Sequence, residues 1–224
     1  MNVQVPYILR THSTLGDASD GVSAGIGGGQ YDSSTSNFGD MKIIGRYQGF
    51  TPQHNLGVML GVKLPTGKHD LMGDSTDPSP VSIDRGLQPG TGTTDGIVGA
   101  FYSDRLSKYL GYSVNALYQS AFDSRDEYRP GDGTNINLAL RFMGNPAYMP
   151  ILQLNARYVN HDTGAQADQT STGGTLIYIS PGITTPINNQ TSVYSFVQIP
   201  VYQRLNGVQL VPTFTASVGV RFSY

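Results

Sequence analysis

The chain contains no cysteine and no tryptophan, and only 13% of its 224 residues are charged. Without cysteine there is no thiolate nucleophile, no thiolate metal ligand and no disulfide, which suits a protein that crosses an oxidising periplasm. Scarce charge argues against an ordinary soluble surface, where about a quarter of residues are charged. No apolar surplus offsets the deficit: hydrophobic residues make up 38% and mean hydropathy is −0.23. No run approaches the ~20 consecutive apolar residues of a membrane helix. Glycine (28) and proline (13) also interrupt nearly every window long enough to be helical. A net charge of −2 says little by itself, and no nucleic-acid partner is expected. What remains is rich in Gly, Tyr, Ser, Thr, Asn and Gln, the composition of a protein apolar outside and polar inside.

Segments of about ten residues alternate between apolar and polar with period two from one end to the other. In the last, Phe214, Ala216, Val218, Val220, Phe222 and Tyr224 share one face, and Thr213, Thr215, Ser217, Gly219, Arg221 and Ser223 the other. Residues 151–159 set Leu152, Leu154, Ala156 and Tyr158 against Gln153, Asn155 and Arg157. Residues 136–142 set Ile136, Leu138, Leu140 and Phe142 against Asn137, Ala139 and Arg141. Segments 110–119, 41–50 and 56–64 follow suit, as does a first strand near Val3–Arg10. Three more, near 96–103, 174–184 and 191–203, are strand-like but ambiguous in facing. The expectation is an all-β, antiparallel up-and-down transmembrane barrel of about 10 strands forming a single domain over 1–224.

Connection lengths alternate too. Long polar loops are expected at 12–39, 65–94, 123–134 and 161–173, and short turns at 51–55, 103–107, 144–146 and 185–189. Long loops outside and short turns on the periplasmic side are the asymmetry of outer-membrane barrels, and the parity places both termini on the short-turn side. No basic stretch followed by an apolar run precedes Met1-Asn-Val-Gln-Val-Pro, so an export signal is expected to be removed or to lie upstream.

Charge placement is an independent check. Arg10, Lys42, Arg46, Lys63, Arg141, Arg157 and Arg221 all lie within expected strands on the polar face, where they would line a lumen. On the lipid face at mid-membrane each would cost about 2–4 kcal/mol. A soluble two-sheet sandwich also alternates, but would mix both charge signs on its wet face. Seven cations with few facing acids give the lumen a positive field that favours anions. Ten strands make a narrow barrel, so a plugged lumen is as open a reading as a conducting one.

Four stretches resemble a known family: Leu64-Pro-Thr-Gly-Lys-His, Leu87-Gln-Pro-Gly-Thr-Gly-Thr-Thr-Asp-Gly, Gly111-Tyr-Ser-Val-Asn-Ala-Leu-Tyr and Tyr202-Gln-Arg-Leu-Asn-Gly-Val-Gln-Leu. The family is the outer-membrane one associated with phenol and aromatic degradation (the MetA pathway), and the resemblance runs over most of the chain from about residue 3. It implies an outer-membrane barrel for uptake of small, hydrophobic molecules, and carries over no site residues. Members usually have further upstream sequence, so about 12 strands are expected if this chain is truncated at its N-terminus.

The remaining motifs point to no enzyme. His12, His54, His69 and His161 all fall in expected loops or turns without zinc-site spacing. His161-Asp162 lacks the nucleophile elbow a hydrolase triad would need. The loop Asp123-Ser-Arg-Asp-Glu-Tyr-Arg-Pro-Gly-Asp gathers four carboxylates, but two arginines compensate them equally well and the spacing is not that of an EF-hand, so a charged solvent loop is expected. Gly90-Thr-Gly-Thr-Thr-Asp-Gly lacks the lysine and helix of a phosphate cradle and reads as a long loop re-entering a strand. Gly25-Ile-Gly-Gly-Gly reads as a flexible loop. No catalytic residue, cofactor or metal is expected. The expected function is a narrow passive channel or uptake protein in the bacterial outer membrane, with lipid and a small solute, hydrophobic or anionic, as its partners. The alternative is an accessory barrel with a plugged lumen whose long loops bind a protein partner.

Overall fold

A computed structural model describes residues 1–15, 30–72, 83–210 and 212–222. It is all-β apart from one 3₁₀ turn at Arg85–Leu87. The strands are β1 (Asn2–Gln4), β2 (Tyr7–Leu15), β3 (Gln30–Phe38), β4 (Met41–Tyr47), β5 (Leu56–Leu64) and β6 (Asp95–Arg105). After these come β7 (Leu110–Ala121), β8 (Gly133–Phe142), β9 (Met149–Val159), β10 (Gly174–Pro186), β11 (Thr191–Leu205) and β12 (Thr215–Phe222). Ten of them form one antiparallel sheet in the order β1-β4-β5-β6-β7-β8-β9-β10-β11-β12, curled into a half-barrel. β2 and β3 pair separately as a hairpin.

The alternation read from sequence sets the register. Directly paired residues share a face, so the pairs Asn115↔Asn137, Asn137↔Asn155 and Asn155↔Tyr178 put a polar row on one side. The intervening pairs Val114↔Leu138 and Leu138↔Leu154 put an apolar row on the other. The polar face is the concave one. Lys42 on β4 donates to Gln119 on β7 at 2.9 Å, three strands along, where a flat sheet would hold the two backbones roughly 14 Å apart at ~4.8 Å per strand. On the convex face Ile136, Leu138, Leu140, Leu152 and Leu154 remain 41–45% exposed, a continuous apolar band with no layer over it among the described residues.

Two features depart from the expected barrel. The sheet is open: β1 and β12 are its edges, and β1 offers only Asn2–Gln4 to β4. The physical reason is local. Pro6 has no N–H to continue the ladder, and the chain leaves the sheet there to enter β2. Arg10 therefore sits on the β2–β3 hairpin opposite Thr35, not on the barrel wall, and the expected loop 12–39 contains strand at both ends. His12, expected in a loop, lies within β2. Gly25-Ile-Gly-Gly-Gly and Tyr224 lie outside the described residues.

The three segments of ambiguous facing are β6, β10 and β11. In β6 both faces are apolar, because Ile97 and Phe101 point inward while Val98 and Ala100 point outward. In β10 the ladder to β11 omits Ser180 and Pro181, and Tyr178 pairs with Pro200 while Ile177 pairs with Tyr202. That leaves Val201 as a bulge and breaks the period-two pattern in the sequence. Beyond the bulge Arg204 pairs with Thr175 and so falls on the convex face, near the end of its strand.

Candidate functional site: the concave wall and its buried charge knot

The inner wall divides in two. Along β4–β7, Ile44, Met59, Ile97 and Phe101 form a buried apolar cluster with Leu117 packed against it, and Arg46 lies 4.0 Å over the Phe101 ring. This half of the concave face is covered by packed side chains. Along β7–β9 the wall is amide-rich and Asn137 donates to Asn115 at 2.8 Å, while Asn155 reaches Ser180 on β10 at 2.7 Å. Arg141 and Arg157 flank this row on the same face, and Arg221 lies on the inner face of β12.

Above the apolar cluster is a knot of buried charge. Lys63 Nζ lies 2.9 Å from Asp95 and 3.2 Å from Asp40, and donates to Thr91 and to Thr93. Asp40 also accepts from the backbone N–H of Gly67 (3.1 Å) and of Thr91 (2.9 Å). Asp95 accepts from Thr93 Oγ1 at 2.8 Å and from Gln119 Nε2 at 2.6 Å, and Gln119 Oε1 accepts in turn from Lys42. Burial of the three charges Asp40, Lys63 and Asp95 is tolerable only because each is paired and hydrogen-bonded. Backbones crowd closely here: a Cβ on Gly67 would sit 2.8 Å from the Gly39 carbonyl carbon, and one on Gly90 2.7 Å from Asp40 Oδ1. The stretches Leu64-Pro-Thr-Gly and Gln88-Pro-Gly-Thr-Gly, far apart in sequence, are thus two halves of one structure around the Asp40 carboxylate.

The seven cations read as lumen-lining therefore fall into groups. Lys63 is neutralised inside the knot, and Lys42 is tied to it through Gln119. Arg46 is stacked on Phe101. Arg10 is off the wall, donating to the Leu87 carbonyl at 2.5 Å. Arg141, Arg157 and Arg221 are exposed on the concave face with no acid at ion-pair distance among the described residues. The knot was the feature sequence reasoning missed. Its only signal was the pair of Pro-x-Gly or Pro-Gly-Thr stretches flanking a strand that carries an inward lysine.

The described parts of the long connections, 65–72 with 83–94, 123–134 and 161–173, meet at one end of the sheet. Arg85 bonds Asp126 at 3.2 Å, Tyr128 donates to Asp162 at 2.8 Å, and Arg129 and Thr163 exchange backbone bonds. The Arg85 guanidinium, above all, holds the Asp126 carboxyl below the ordinary carboxylate range, while burial pushes the Tyr128 phenol up. The Ser120 hydroxyl, then Tyr118 and Arg129, hold Asp132 low as well. The four carboxylates of the 123–132 stretch do not converge: Asp123 accepts from the Thr94 N–H, Asp126 faces Arg85, and Asp132 faces Ser120 and Arg129. Among the described residues no three His, Asp or Glu side chains gather as metal ligands would.

No protein-family model matches the chain, and no curated protein is similar to it.

Proposed function

We propose that this chain is a bacterial outer-membrane β-barrel that acts as a narrow passive channel for small solutes, with a preference for anions. The observation that carries the reading is the convex face. Its apolar band is edged by tyrosines whose hydroxyls are fixed at the strand ends: Tyr118 to Asp132 and Tyr158 to Asn160 at the long-loop end, Tyr102 to Asp104 at the short-turn end. An apolar body with a tethered polar tip is what a membrane interface selects. The convex charges Asp104 and Arg204 lie at strand ends, while Lys42, Arg46, Lys63, Arg141, Arg157 and Arg221 are all concave. In lipid no sheet edge can stay unpaired. β12 runs toward the short turns and β1 toward the long loops, so the two edges are antiparallel and suited to close on each other. The resemblance to the phenol-degradation family fits the same reading and adds hydrophobic aromatic solutes as candidates.

Planar-bilayer recording tests it. The channel reading expects discrete conductance, and a shift of reversal potential toward cation selectivity when Arg141, Arg157 and Arg221 are all changed to Gln. An unchanged reversal potential in a conducting triple variant contradicts the role of these arginines. A second reading has its own support. The buried cluster of Ile44, Met59, Ile97 and Phe101 packs on the concave face along β4–β6, which suits a plugged accessory barrel whose loops bind a partner. Absence of conductance from correctly folded protein favours that reading.

A further inference from the structure

β6 extends through Arg105, into the stretch expected as a turn, and so carries that arginine onto the concave wall. The antiparallel register puts Arg105 of β6, Gly111 of β7 and Arg141 of β8 in one directly paired row. Gly111 lies four residues from Asn115 and Arg141 four from Asn137, so the row shares the face of the inner amides. The next inward row holds Ser103, Ser113, Ala139 and Gln153. Because Gly111 has no side chain, the two arginines flank a gap. At about 4.8 Å per strand their backbones stand roughly 10 Å apart, close enough for both guanidinium groups to reach one ion between them. The Met143 thioether floors the gap: a Cβ on Gly111 would sit 3.2 Å from Met143 Cε. Both arginines are exposed, and among the described residues neither guanidinium has a hydrogen-bond or ion-pair partner. Asp104 does not serve them. It lies on the convex face and accepts from the Tyr102 hydroxyl at 2.9 Å and the Arg105 backbone N–H at 2.7 Å.

We propose that Arg105 and Arg141 bind a phosphate group in the gap over Gly111, at the short-turn end of the concave wall. The proposal rests on the channel reading and deepens it, because it names the class of solute and the cations that take it. Two guanidinium forks on either side of one gap present paired N–H donors to a tetrahedral oxyanion, whose several oxygens let it bridge both. A bridging anion also relieves the repulsion between two like charges that have no acid beside them. The Ser103 and Ser113 hydroxyls, one row away, offer neutral donors to the remaining oxygens. Arg157 lies outside the site. It pairs with Asn135, six residues along β8 from Arg141 and so roughly 20 Å away, about two Debye lengths at 0.1 M salt.

The test uses the full chain refolded in maltoside micelles, which carry no phosphate, and needs no conduction. Arginine side-chain Nε–H resonances are followed by NMR while sodium phosphate replaces sodium chloride at constant ionic strength. The two signals that vanish in Arg105→Gln and Arg141→Gln are expected to shift together and saturate. Either substitution is expected to weaken the affinity roughly tenfold or more, the scale of one lost charge-assisted contact, and Arg157→Gln to leave it unchanged. Gly111→Leu keeps both charges but fills the gap, and is expected to abolish saturation. A dispersed spectrum of each variant confirms its fold. Glycerol phosphate in a parallel titration separates two sources of the group: saturation by both ligands assigns phosphomonoesters as well, and saturation by phosphate alone assigns the free ion. A linear, non-saturating shift, an equal loss from Arg157→Gln, or undiminished binding by Gly111→Leu would overturn the site in favour of diffuse screening. Such a failure is distinct from failure of the channel reading, which shows instead as absence of bilayer conductance.

Discussion

At the scale of single residues, the sidedness of the sheet makes neighbouring positions behave oppositely. Leu138 is 41% exposed on the convex face, whereas Asn137 points inward and donates to Asn115. Leu138→Arg should lower the folded yield in lipid by an amount on the order of 2–4 kcal/mol, and Asn137→Arg should fold nearly normally. Refolding yields in vesicles measure both, and equal defects would reject the register. The knot gives a second contrast. Lys63→Met leaves Asp40 and Asp95 buried without their shared cation, a loss of about 3–5 kcal/mol on the scale of broken buried pairs. Arg221→Gln, at an exposed position, should stay within about 0.5 kcal/mol. Urea unfolding in detergent reads the difference, and a Lys63→Met variant as stable as the parent would show that the carboxylates are not relying on it.

Elements were legible in the sequence wherever one face was apolar and the other polar. The 110–119, 136–142 and 151–159 segments became β7, β8 and β9 with the expected facing, because a half-exposed strand prints its environment as alternation. Where the environment was not two-sided the print blurred. β6 is apolar on both faces because Ile97 and Phe101 pack on the concave face, and the β10–β11 pair is offset by a bulge. The strand expected over Val3–Arg10 is divided at Pro6 between β1 and β2, and the rest of the β2–β3 hairpin was hidden within a stretch so rich in Ser and Thr that neither face stood out. The knot could not be inferred, since it depends on loops 65–94 and 39–40 meeting through space. At this scale the loop cluster makes a pH prediction. Asp126 and Asp132 are both held low in the folded state, so their stabilisation is fully present above the ordinary carboxylate pKa and is lost as pH falls through their lower folded values. The loop packing should therefore stay intact through mild acid and loosen only below about pH 4. The ring resonances of buried Tyr128 report it, and a transition between pH 5 and 7 would point to other groups.

For the whole molecule, the arrangement of ends is the consequence of ten alternating strands. The long loops share one end and the C-terminal end of β12 lies with the short turns, opposite Thr191. Proteases added to intact cells should therefore cut within 123–134 or 161–173 before they reach the turns at 51–55 or 144–146. Cleavage in the reverse order would invert the orientation. Closure of the open edges is the step that makes the sheet compatible with lipid. A cysteine-free chain is convenient for it, since a single engineered pair, one cysteine within Asn2–Gln4 and one within Ala216–Val220, reports whether β1 and β12 meet.

The central claim is that this polar-lined, convexly apolar sheet is a membrane-spanning barrel, and gel mobility tests it most directly. Chain refolded in detergent is run in SDS with and without boiling. A closed barrel, whose strands are hydrogen-bonded all round, is expected to resist SDS unheated and to run as a compact band that shifts on boiling. An identical mobility for boiled and unboiled samples of chain shown to be folded would contradict the account, because it would leave an ordinary β-sheet protein with an exposed apolar face.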